Sequence, residues 1–110
     1  MHGPTETIRA CRHPLQRARG FLFTRPGSDI LVFPGCSHIH THLMKYDLDV
    51  AFIDKAGQVM SSFRGVAPGC RLRHPRAWAV IERAASPLRP WYEKGSYVDV
   101  AILRAAQGKE

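Results

Sequence analysis

The chain predicts a mainly β fold, a compact β-sandwich or barrel of six or seven short strands with one or two short helices. Three observations lead there. Glycines and prolines recur every ten residues or so, which punctuates short strands better than long helices. The runs between them are short and are either continuously apolar or alternating with period two. Finally, 110 residues at 45% hydrophobic composition suffice for one core, so 1–110 reads as a single domain.

The elements follow in order. Thr7 to Cys11 alternates enough for a first strand. Pro14 opens LQRARGFLF, and a proline in a first turn with Gly20 behind it predicts a short helix ending at that glycine. Asp29 to Phe33 is an apolar run between two Pro-Gly pairs, hence a buried strand. His38 to Met44 alternates His/Ile/His/Thr/His/Leu and predicts a strand with its histidines on one face. LDVAFID then runs through Lys55-Ala56-Gly57 into QVMSSF, a hairpin signal, since Asp and Gly supply the turn conformations. Trp78 to Arg83 and Tyr97 to Leu103 complete the strands, with Pro87, Pro90 and Trp91 in a segment left unassigned.

The net charge of +7 is unevenly spread: residues 1–28 carry +4, residues 29–60 carry −2 and residues 61–110 carry +5. Arg71, Arg73 and Arg76 form the one arginine cluster, and no aromatic platform for base stacking is interleaved with them, so solvated surface is expected and nucleic acid is not an expected partner. The first residues, MHGPTETIRACRH, contain no apolar signal-peptide core, and no apolar run approaches the roughly 20 residues of a membrane helix. A cytoplasmic location without a membrane span is the expectation. Three cysteines, Cys11, Cys36 and Cys70, are an odd number without paired spacing and predict reduced thiols.

Chemistry concentrates between Cys36 and Asp54, which hold a thiol, three histidines, a methionine and three aspartates. Cys36, His38, His40 and His42 share one parity, and imidazoles at i and i+2 of a strand can converge on a divalent ion such as zinc. A row about 20 Å long, at roughly 3.3 Å per residue, cannot close on one ion as a whole. Two neighbours among His38, His40 and His42 are therefore the metal candidates. Cys36 beside His40 also invites a thiol nucleophile, and Asp47 with Asp49 could divide acid and base roles. No phosphate-cradling glycine loop, nucleophile elbow or zinc-finger spacing is present.

In order, Arg17-Ala18-Arg19-Gly20-Phe21-Leu22-Phe23, Cys36, Ile39-His40-Thr41, Met44, the run Leu48 to Asp54, Gly57, Val59 and Ala79-Val80-Ile81-Glu82 resemble the bacterial and archaeal family called Domain of Unknown Function 192. The likeness spans about residues 8–103. It implies a compact, mainly β domain with no established reaction, and its matching positions are Arg17, Gly20, Cys36, His40, Thr41, Met44, Asp49 and Glu82. His38 and His42 match no position of that pattern. After Glu82 the family has a glycine-bearing segment where this chain reads RAASPLRPWYEKGSYVDV. Arg17 could pair with Asp49 or Glu82 across the domain.

Function is thus expected to be that of a non-enzymatic ligand-binding or accessory domain, with a pocket around Cys36 and His40 that includes Thr41, Met44, Asp49 and Arg17. Its partner would be a small ligand or another protein. A small metal-dependent or thiol hydrolase is the alternative, and a basic anion or nucleic-acid module the third.

Overall fold

The computed structural model describes residues 8–10, 30–41 and 44–108. Among them are seven strands and one helix: β1 (Ile8–Ala10), β2 (Ile30–Pro34), β3 (His38–His40), β4 (Leu48–Ile53), β5 (Val59–Val66), β6 (Arg71–Arg73), β7 (Ala79–Ala84) and α1 (Val100–Gln107). Five strands form one sheet in the order β1-β2-β7-β4-β5, where β1 lies parallel to β2 and the other neighbours are antiparallel. The remaining two, β3 and β6, pair antiparallel in a separate ribbon.

The central strands read as near-continuous apolar runs because both faces of the sheet are covered. β4 is buried at all six positions and β7 at its first five. On one face Ile30, Val32, Ala51, Ile53 and Ile81 pack against Trp91, Tyr92 and, from α1, Ile102, Ala105 and Ala106. On the other, Leu31, Phe33, Leu48, Val50, Phe52 and Val80 pack against Cys36 and Ile39, with Leu72 half-buried beside them. Each fully buried aliphatic or phenyl side chain here contributes roughly 1.5–3 kcal/mol. The result is three layers: helix, sheet and ribbon. The fold is mainly β as expected, but the sheet does not close into a barrel among the described residues.

The hairpin forms where the sequence places it. Asp54 Oδ1 accepts from the backbone N–H of Ala56 at 3.0 Å and of Gln58 at 2.9 Å, fixing the turn from β4 into β5. Tyr97–Leu103 is not the expected strand. Tyr97 bridges Gln58, the Val98 N–H donates to the Gly57 carbonyl, and the chain then becomes helical at Val100. Ile102, Ala105 and Ala106 bury at helical spacing, and Gly108 closes α1 with its N–H on the Ala105 carbonyl. β3 covers only His38–His40 of the alternating stretch, and β6 was not anticipated. The helix expected from Pro14 to Gly20 lies outside the described residues. No helix among those described is long and apolar enough to cross a membrane.

Candidate functional site

β3 and β6 pair in the register His38↔Arg73, Ile39↔Leu72 and His40↔Arg71. Strand alternation sets Ile39 and Leu72 toward the sheet and turns both histidines and both arginines outward, where all four are exposed. Ser37 to His40 and Arg71 to Arg73 line an open depression of ≈ 420 Å³. No carboxylate stands among those lining residues. Each histidine therefore faces an arginine across the ribbon, and two guanidiniums with two imidazoles offer several N–H donors to one surface. A carboxylate or phosphate is the chemical class such a surface accepts.

The rings of His38 and His40 meet edge to face with centroids 5.5 Å apart. That separation lets two imidazoles approach one divalent ion, as the alternating row predicts. The ion would then sit among Arg71 and Arg73, which share its sign of charge and are directly opposite. The described residues hold no group of three His, Cys, Asp or Glu side chains fit to ligate a metal, and His42 lies outside them. Charge thus favours an anion over zinc on this face.

The other expected site residues divide between the two sides of the sheet. Cys36 does not continue the histidine row, because β3 begins only at His38 and the period-two alternation does not extend back to Cys36. Its side chain is buried in the ribbon-side core, and its Sγ donates to the His38 carbonyl at 2.9 Å. Met44 is half-buried against the same core. Thr41 is fully buried: its Oγ1 donates to the Ala67 carbonyl at 2.8 Å and accepts from the Cys70 N–H at 2.8 Å. These residues hold the ribbon's support together, while His40 alone of them is exposed at the depression. Arg17 lies outside the described residues.

Asp49 faces the helix side of the sheet, so it shares no pocket with Cys36 and His40. It is directly opposite Arg83 across β4 and β7, and both side chains are 1% exposed. Arg83 Nε donates to Asp49 Oδ2 at 2.8 Å. The remaining carboxylate capacity accepts the backbone N–H of Gly65 at 3.0 Å and of Ser86 at 3.2 Å. Arg83 extends over the Trp91 ring, with its central carbon 4.8 Å from the ring centroid, and reaches the Ser86 and Arg89 carbonyls. Arg64 donates to the same two carbonyls from outside. Asp49 is therefore the centre of a buried latch on residues 86–91. Among the described residues its partner is Arg83 beside it, with Arg64 Nε 3.9 Å from its Oδ1.

Two signals in the sequence mark the β6 strand and the Asp49–Arg83 pair. Arg-Leu-Arg is itself a period-two pattern, the mark of a short strand with Arg71 and Arg73 on one face. An aspartate inside LDVAFI and an arginine closing AVIER each stand in a buried run, where a charge requires a partner. Neither signal names its companion strand, and that long-range pairing is what makes both sites.

No protein-family model and no curated protein sequence matches the chain. Two solved structures are similar. A protein named "putative transcription regulator" from Sinorhizobium meliloti 1021 is 18% identical with a TM-score of 0.61, the match covering 71% of this chain and 67% of that one. A protein of unknown function from Novosphingobium aromaticivorans DSM 12444 is 20% identical with a TM-score of 0.60, covering 72% and 63% respectively. At these identities the likeness is one of fold, over the matched share of each chain.

Proposed function

We propose that this chain is a non-enzymatic binding domain that takes an anionic group on the outer face of the β3–β6 ribbon. One observation supports this most: His38 with Arg73 and His40 with Arg71 form two cross-strand pairs on an exposed, carboxylate-free depression. The expected pocket around His40 is kept in this proposal, but Cys36 supports it from below. A thiol hydrolase draws no support from a buried sulfur that donates to a carbonyl, since the reactive species is an exposed thiolate. Asp49 is equally unsuited to acid/base work, with Arg83 and two backbone amides occupying its oxygens.

Membership of the Domain of Unknown Function 192 family is part of the same proposal. Of the positions that carry the resemblance, Cys36, Thr41, Asp49 and Glu82 are buried, as fold-determining residues of a family would be. Titration of the protein with tripolyphosphate in a calorimeter at low ionic strength tests the binding function. Saturable binding that is lost in an Arg71→Gln, Arg73→Gln double variant with an unchanged melting temperature is expected. Absence of binding, or binding indifferent to those substitutions, overturns the proposal.

A further inference from the structure

We infer that the ribbon is a track for the sugar–phosphate backbone of single-stranded nucleic acid, an inference that rests on the anion-binding function proposed above. The two His–Arg pairs are separated by two residues along the strands, about 6.6 Å at roughly 3.3 Å per residue. That interval is of the order of the spacing between successive phosphates on an extended strand. It suits one phosphate at each pair.

The depression is lined by both strands, and its four outward side chains are exposed to a chain laid across them. Arg76 stands exposed in the turn beyond the His38–Arg73 end and extends the basic line. Unpaired bases need a flat partner as well, and the edge-to-face rings of His38 and His40 supply aromatic surface beside the guanidiniums. Among Arg71, Arg73 and Arg76 the sequence places only the half-buried His74 as a ring. Pairing β6 with β3 brings the two exposed rings from more than thirty residues away. A duplex hides its base faces and cannot use those rings, which favours the single strand.

Fluorescence anisotropy with labelled oligothymidylates of increasing length tests this. Affinity should rise with length until the track is filled, and should fall about sevenfold between about 50 and 200 mM salt if the two arginines each neutralise one phosphate, at a slope of roughly −0.7 per contact. Arg71→Gln or Arg73→Gln should each flatten that slope by about 0.7. His38→Ala or His40→Ala should weaken binding about fivefold at unchanged slope, because stacking releases no counterions. Arg104→Gln, which removes the same charge from the helix layer, should leave binding unaltered.

If tripolyphosphate binds the ribbon but oligonucleotides gain nothing from length or from the histidines, the track is overturned and anion binding stands. Equal affinity for a duplex of the same length also overturns it. If neither tripolyphosphate nor oligonucleotide binds at low salt, both proposals fail together.

Discussion

Asp49 shows how one side chain can decide the arrangement of a whole edge. Two charges inside a protein are costly to desolvate, and a buried pair is retained only with its remaining lone pairs satisfied. Here the second carboxylate oxygen accepts the Gly65 amide, where β5 slips register against β4, and Ser86 donates from the loop after β7. Removing Asp49 therefore leaves a buried guanidinium and two amides without their acceptor. Asp49→Ala should lower the unfolding free energy by about 3–5 kcal/mol in urea melts, whereas exposed Asp47→Ala should change it by less than about 0.5 kcal/mol. Equal effects at the two positions would show that the latch is not structural. Thr41 makes a smaller version of the same case. Thr41→Val keeps the shape but orphans the Cys70 N–H and the Ala67 carbonyl, and should cost about 1–3 kcal/mol by the same melts. A neutral result there would mean that the 67–70 turn is held by other contacts.

Among the elements, the β4–β5 hairpin was legible because everything that forms it is local. Asp54, Gly57 and the apolar runs on either side lie within a few residues of one another. Gly57 adds a constraint that sequence could not reveal. Its φ is 84°, and a Cβ there would lie 3.1 Å from Val98 Cγ2 in the segment that leads into α1. Gly57→Ala should thus cost about 1–2 kcal/mol from backbone conformation alone, and more where Val98 cannot yield. Circular dichroism melts check this, and an unchanged midpoint would contradict the close approach. α1 was misread as a strand because YVDVAIL has β-branched residues at alternate positions. Its burial at Ile102, Ala105 and Ala106, fixed by packing on the sheet, overrode that local preference.

At the scale of the whole molecule, the mainly β class and the strand content were readable from punctuation and apolar runs. The layering was not, since nothing near Arg71 in the sequence shows that His40 will lie opposite it. For the same reason Cys36, Met44 and Asp49 looked like neighbours of His40 in a nineteen-residue stretch. The late start of β3 and the sheet itself separate them into core, support and latch. What is left facing solvent on the ribbon is purely cationic or imidazole, and the account rests on that face being where the protein meets its ligand. The most direct check is to assign the backbone amides by NMR and add tripolyphosphate at low salt. Progressive, saturable shifts confined to Ser37–His40 and Arg71–Arg73 are the expected result. Shifts centred instead on Arg64 and Arg89, on Arg104 of α1, or spread evenly over all basic residues would contradict it.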